Sequence, residues 1–493
     1  MTRRVGIVGL VAALVLLVGP QSLAAPAPVP TKAVGLPAPF SSWNVTVERS
    51  TDPHVQWVTF DSAVLHRRAT MRVVLPDAYA ATTGKLPVVY YLHGTTRIGT
   101  HPAVDTVFDT LADNGADVGY PFVEGGAHNE ASYLAAESDR IQFVAVSPDA
   151  GETTWCEHCG WVDGRLGQGV NAETHLYREV LPLTEAMFRV RTDRAGRGIM
   201  GASMGAAGAL IQATRHPDLY SVVAALSPPV DYIYDTPYAD FIHFLYLRQQ
   251  GYPPPKAFPI ATRAINPADL LTNLRGEGID TIITMGEGCL AGAGRGLCQK
   301  YGFLDVPTNG FQEVLIRHNA DTVVPQAIAD GVPISYITYD GIHFNINHEV
   351  FNEHLLDRMN RALAANLPAP SSVTFRSADP VFSIWGWNAR LDRPNQEFVT
   401  VDVRPDGRAL SISGSGTLHL VSAPIYLPGS GHAVTIEFGD SSRRTIRHTV
   451  AADDFGRLHM TIDLGDRHPI DEVDLLWRSG VVRSPQTRIT VNS

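Results

Sequence analysis

The apolar positions of this chain fall into two textures. From Val45 to Tyr339 they gather in short runs separated by stretches long enough for a helix. Val88-Val89-Tyr90-Tyr91-Leu92 is unbroken, and Ile141–Val146, Gly198-Ile199-Met200, Val222–Leu226, Asp280–Met285 and Ile334–Tyr339 follow it. A run without polar alternation is what a strand covered on both faces requires. Val45, Val47, Val55–Phe60 and Met71–Pro76 come earlier and predict antiparallel strands leading into the same sheet. Asn171 caps a predicted helix reaching about Arg189, because Leu176, Val180, Leu183 and Met187 share one face; Pro182 predicts a kink in it. Further helices are expected from Ser203 to about Arg215, stopped by His216-Pro217, and over residues 349–364. Strands alternating with helices predict an α/β fold, a mostly parallel sheet with helices on both faces.

After Leu367-Pro368-Ala369-Pro370-Ser371-Ser372 the pattern shortens. Phe398–Val403, Leu418–Val421, Val434–Phe438 and Leu458–Leu464 read as short strands, with turn residues such as Pro405-Asp406-Gly407 and Pro428-Gly429 between them. Residues 43–367 are therefore expected to form the α/β domain, and residues 373–493 an all-β, sandwich-like module. Residues 228–265 are dense in aromatics and are expected either to cap a site or to fill a core.

The first residues carry a different pattern. Arg3 and Arg4 precede the apolar run Val5–Val18, and Ser22-Leu23-Ala24 offers small residues for cleavage. This predicts a signal peptide over 1–24, then a Pro/Ala-rich linker over 25–42. No later segment is apolar enough to cross a bilayer. The expected location is secreted or cell-wall associated, not membrane-spanning once the signal is removed.

Composition narrows the class. The 493 residues are 44% hydrophobic and 18% charged, as in a globular protein of more than one domain. A net charge of −11 with no basic run excludes a general attraction to nucleic acid. The four cysteines lie in two close pairs, and in an exported chain they predict two local disulfides, Cys156 with Cys159 and Cys289 with Cys298. A metal site on Cys156, His158 and Cys159 would lack a fourth ligand, since no second CxxC or HxxxH exists, so no metal and no cofactor is expected.

The chemistry centres on Gly201-Ala202-Ser203-Met204-Gly205. G-x-S-x-G between a strand and a helix is the nucleophile elbow of an α/β-hydrolase. A serine hydroxyl needs a base, and the base needs an acid to orient it; the chain order is Ser, acid, His. His343 lies just past the last apolar run, in Asp340-Gly341-Ile342-His343-Phe344, and is the expected base. Glu313, Glu287 and Asp340 compete for the acid. The oxyanion hole is expected from the backbone N–H of Met204 and that of Thr95, after His93-Gly94.

The elbow, the loop Leu92-His93-Gly94-Thr95, Asn266-Pro267 and Gly341-Ile342-His343 together resemble an esterase family that includes esterase D and the secreted mycolyltransferases. The resemblance covers about residues 60–365 and does not reach the C-terminal module. Mycolyltransferases carry a local disulfide where Cys156 and Cys159 stand. They take their catalytic glutamate from an F-L-E segment about thirty residues before the histidine, where this chain has Phe311-Gln312-Glu313, so the resemblance favours Glu313. It departs at His93-Gly94-Thr95-Thr96, which replaces Asp-Gly-Leu-Arg with Arg97 one place late, and at Phe344, which replaces a tryptophan. Acyl-enzyme chemistry thus carries over better than acceptor specificity. The expected activity is that of an exported serine esterase or acyltransferase acting on an acyl ester or glycolipid. The alternative is an inactive hydrolase fold that binds cell-wall glycan or lipid. Trp385 and Trp387, two apart, are expected either to share a face that stacks on a cell-wall glycan or to pack the sandwich core or domain junction.

Overall fold

The computed structural model describes residues 30–50, 52–95, 132–149, 156, 158–257, 259–289, 311–343, 350–365, 367–465 and 484–492. The expected signal peptide, part of the linker, Thr96, Arg97, Phe258, Cys298, Phe344 and Glu349 lie outside them.

Ten strands form the first sheet: β1 (Thr31–Lys32), β2 (Thr46–Arg49), β3 (Val55–Ser62), β4 (Arg67–Val74), β5 (Val88–Leu92), β6 (Val144–Pro148), β7 (Arg197–Ala202), β8 (Val222–Leu226), β9 (Asp280–Gly286) and β10 (Ile334–Tyr339). Their order is β1-β2-β3-β4-β6-β5-β7-β8-β9-β10. β1 to β4 run antiparallel, β4 meets β6 antiparallel, and the six strands from β6 to β10 are mutually parallel. This is an α/β-hydrolase sheet, and the unbroken apolar runs are its central strands. Along β5 the side chains divide between two cores: Val88, Tyr90 and Leu92 enter one, Val89 and Tyr91 the other. The first core is closed by the helix Met204–Arg215, through Leu210 and Ile211 among others. The second is closed by Phe351, Leu355, Met359 and Leu363. Both faces are dry, so polar alternation along these strands would have cost an unpaired group at each position.

One local expectation changes. The helix around Pro182 runs as Ala172–His175, a π segment Leu176–Val180, and Leu181–Met187. Pro182 stands at the start of the last segment, where its missing N–H costs least. Thr184 Oγ1 donates to the Val180 carbonyl at 2.8 Å. Asn266 precedes the short helix Pro267–Leu270, and its side-chain oxygen accepts from the Tyr232 N–H at 2.9 Å. In the aromatic stretch, Tyr232, Tyr238, Tyr246 and Tyr252 are buried in the first core, while Phe241 and Phe244 are exposed.

The C-terminal strands are β11 (Val373–Ser377), β12 (Val381–Ile384), β13 (Trp387–Asp392), β14 (Val399–Val403), β15 (Ala409–Ser413), β16 (Thr417–Val421), β17 (Gly431–Phe438), β18 (Thr445–Ala451), β19 (His459–Asp463) and β20 (Gln486–Asn492). They make a six-stranded sheet, β11-β14-β15-β20-β17-β18, and a four-stranded sheet, β12-β13-β16-β19. Phe375, Val401 and Ile436 of the first and Trp387, Leu418 and Ile462 of the second share one core, which makes the pair a sandwich.

Trp385 and Trp387 do not share a face. Ile384 pairs with Trp387, so Trp385 and Gly386 form the two-residue turn between β12 and β13, both at positive φ. Trp387 is fully buried in the sandwich. Trp385 points to the α/β sheet: its N–H donates to Asp218 at 2.9 Å and its indole N–H to Glu277 at 3.3 Å. Asp379 pairs with Arg215 at 2.6 Å, and Arg215 pairs with Glu173 at 3.1 Å. Asn273 meets the Arg376 backbone twice, both bonds at 2.8 Å. The junction is therefore a set of partly buried charge pairs and hydrogen bonds. Burial pushes the Glu277 carboxyl up to about 7.

Candidate active site

β7 delivers Ser203 at its carboxyl end, at the mouth of the sheet where open α/β folds place their ligands. Ser203 has φ 52° and ψ −117°, a strained conformation for a residue with a side chain. Its own N–H donates to Leu226 O at 2.9 Å on the neighbouring strand, and its carbonyl accepts from Ala207 N–H at 3.1 Å. The flanking glycines are steric necessities. A Cβ on Gly205 would lie 1.9 Å from Leu92 O, and one on Gly201 would lie 2.3 Å from Gly205 O. The elbow presses on the end of β5, and only hydrogen fits between them.

His343 follows β10, and its Nε2 is 2.9 Å from Ser203 Oγ. Its Nδ1 is 2.6 Å from Glu313 Oε2. A carboxylate accepts, so Nδ1 carries the proton and Nε2 turns its lone pair to the serine hydroxyl. Glu313 lies in the first turn of the helix Phe311–Ala329 and is fully buried. Its Oε1 accepts from Ser227 Oγ at 2.6 Å and from Gly286 N–H at 2.5 Å. Five segments that are distant in sequence thus converge: the ends of β7, β8 and β9, the first turn of the helix Phe311–Ala329, and the stretch after β10. Ser203 and His343 are buried as well, at 6% and 2% exposure, so the hydroxyl–imidazole–carboxylate line sits in a low-dielectric setting where each polar contact counts for more.

The competing acids stand elsewhere. Glu287 is nearly half exposed and pairs with Arg317 at 3.3 Å. Asp340 is partly exposed just past β10. Ser227 and Gly286 are the partners sequence reasoning missed. Their signal was their place, each at the carboxyl end of an apolar run, but nothing in the chain said which carboxylate would arrive there.

Met204 is the first residue of the helix Met204–Arg215, so its N–H has no acceptor within the helix, and the helix dipole adds positive potential at that point. Thr95 is half-buried and ends the described part of the loop after β5. Cys156 and Cys159 are bonded to each other. Cys289 is also in a disulfide, and its expected partner Cys298 lies outside the described residues. His93, Asp149 and Cys156 gather within 4.8 Å of one another, but the Cys156 sulfur is taken up by its disulfide, which leaves a hydrogen-bonded frame and not a ligand set. Among the described residues no helix is long and apolar enough to cross a membrane.

Residues 62–250 match the model of the esterase family described as "Putative esterase". Esterases of two Mycobacterium tuberculosis strains are each 28% identical over 181 residues, 36% of this chain and 33% of theirs. The matched part of the chain thus spans about a third of the length of these relatives. Among solved structures, a ferulic acid esterase is 22% identical, with 63% of this chain and 98% of that one covered at a TM-score of 0.38. An S-formylglutathione hydrolase from Agrobacterium tumefaciens is 16% identical, with 68% and 99% covered at 0.39. MPT51 of Mycobacterium tuberculosis is 12% identical, with 65% and 98% covered at 0.40.

Proposed function

We propose that this protein, which carries the esterase-family segment over residues 62–250, is an exported serine acyl-transfer enzyme working through an acyl-enzyme on Ser203. The observation that carries the reading is the hydrogen-bonded line Ser203 Oγ to His343 Nε2 and His343 Nδ1 to Glu313, at 2.9 and 2.6 Å.

In this reading Ser203 Oγ attacks the ester carbonyl while His343 Nε2 takes its proton. The carbonyl oxygen becomes an oxyanion held by the N–H groups of Met204 and Thr95. The tetrahedral intermediate collapses, the C–O bond to the alcohol breaks, and His343 returns the proton to the leaving oxygen. Glu313 stabilises the imidazolium that exists between these steps and keeps it oriented. The acyl group then passes to water or to a sugar hydroxyl, by the same steps in reverse. Ester substrates and glycolipids both fit this chemistry. Residues 1–24 as a signal peptide and the paired cysteines support a location outside the reducing cytoplasm, secreted or at the cell wall.

Ser203→Ala should lower turnover of a p-nitrophenyl acyl ester by at least about 10³-fold while leaving the fold intact. A fluorophosphonate probe should label the wild type and not the variant. Turnover near wild type in the variant would remove this assignment, and absence of labelling in the wild type would favour the inactive binding fold.

A further inference from the structure

The two N–H groups assigned above to the oxyanion are held in different ways. Met204 is fixed by the helix it begins. Thr95 stands on a loop, and a loop donor needs a brace if it is to be aimed before the charge develops. We propose that His93, held by Asp149, is that brace, a positioning residue that sets the plane of the Gly94–Thr95 peptide. The inference rests on the acyl-transfer reading.

Gly94 C=O and Thr95 N–H belong to one planar trans unit and point in opposite directions, so fixing the carbonyl fixes the N–H. His93 Nδ1 lies 2.6 Å from Gly94 O. A carbonyl only accepts, so Nδ1 is the donor. His93 Nε2 lies 3.1 Å from Asp149 Oδ2, and both side chains are almost wholly buried, at 1% and 2% exposure. Each ring nitrogen faces an acceptor, so both bonds are made when both carry a proton. The imidazole cannot swing without losing a buried contact.

Asp149 is itself fixed. It follows β6 directly, holds a left-handed φ of 58°, and with the same Oδ2 accepts the Cys156 N–H at 2.9 Å. Cys156 is tied to Cys159. Two residues on, Trp161 donates its indole N–H to the His93 carbonyl at 3.0 Å, with its ring edge-on to the imidazole at 5.0 Å. Trp161 also lies on Gly208 of the helix Met204–Arg215, where a Cβ would come within 2.7 Å of it. The brace is thus anchored to β6, to the disulfide loop and to the helix that begins beside the nucleophile. One framework sets both oxyanion donors relative to each other.

A structural histidine and a positioning histidine make different predictions. Loss of either destabilises the protein. Only the positioning role lowers kcat with KM preserved, because the oxygen carries its full charge only in the transition state. The test is steady-state hydrolysis of a p-nitrophenyl ester by the full chain. His93→Ala is expected to lower kcat by about 100-fold with KM within about twofold. His93→Asn, whose amide nitrogen replaces Nδ1 as donor, is expected to recover at least about tenfold of that loss. Asp149→Asn still offers an oxygen to His93 and Cys156, and should lose less kcat than Asp149→Ala. The inference is overturned if alanine and asparagine at 93 fall equally, if His93→Ala stays within about threefold of wild type, or if the loss lies in KM alone. If His93→Ala fails to melt cooperatively, the Asp149 pair decides by the same ordering. Ser203→Ala, run alongside, separates the two claims: turnover retained there removes the acyl-transfer reading, whereas loss there leaves the His93 result to bear on the brace alone.

Discussion

The position of Glu313 sets what its removal should do. It is fully buried, and its two oxygens take three donors, from His343, Ser227 and Gly286. Glu313→Gln keeps the volume, but the Gly286 N–H can only donate and claims the one amide oxygen, so the NH2 faces Nδ1, and the imidazole turns to its other tautomer and loses its lone pair toward Ser203. A fall in kcat of about 10⁴-fold with little change in melting temperature is expected from paired kinetic and calorimetric measurements. A fall of less than about tenfold would place the acid elsewhere. At this scale the sequence was readable where a residue type is rare in its setting. Ser203 sits between glycines that a Cβ would turn into clashes, and His343 directly follows the last strand. Ser227 and Asp149 were not readable. Each looks like an ordinary polar residue after a buried strand, and its use depends on which side chain folding brings to it from 86 or 56 residues away.

Elements were legible by burial. A strand dry on both faces leaves no polar alternation, and β5 to β9 followed from that alone. The helix around Pro182 was legible as a helix but not in its winding. The π segment Leu176–Val180 stands directly before the segment that Pro182 opens, and no spacing of apolar positions marks it. The contact between the elbow and β5 is the tightest joint between elements, and it gives a stability prediction. Gly205→Ala places a methyl 1.9 Å from Leu92 O, a backbone atom at the end of β5, where Leu92 pairs with Gly201 of β7. The backbone must shift, and a loss of about 4 kcal/mol or more in urea unfolding is expected, or failure to accumulate as soluble protein. Unfolding within about 1 kcal/mol of wild type would mean that the elbow has slack.

For the molecule as a whole, a change of texture near residue 367 was visible in the sequence, but the junction was not. Asp218, Glu277, Arg215 and Asp379 read as surface charges until the two sheets meet. Their burial makes the junction pH-sensitive. Glu277 has its carboxyl pushed from 4.5 up to about 7 by burial, with Trp385 donating to it against that trend. Its folded-state pKa is raised, so the folded state holds a proton that the unfolded state has released. That contribution is fully present below about pH 4.5, is lost as pH rises toward 7, and is absent above. Chemical unfolding of wild type and Glu277→Gln from pH 4.5 to 8.5 should therefore diverge. The wild type loses stability relative to the variant up to about pH 7, and the difference is flat thereafter. A constant difference across that range would mean the carboxyl titrates alike in both states. Burial does not act alike on all its neighbours: Glu173 is desolvated too, yet Arg215 and His216 hold it down at about 2.

The residue that closes the helix Met204–Arg215 is the one Asp379 grips from the sandwich, and the residue just before that helix is Ser203. One twelve-residue rod therefore has the Ser203 hydroxyl at one end and the C-terminal quarter of the protein at the other. A stop codon placed in the proline-rich boundary would uncover Arg215, Asp218 and Glu277, which the sandwich now covers. Whatever the sandwich does for itself, it is also the back wall of the α/β sheet.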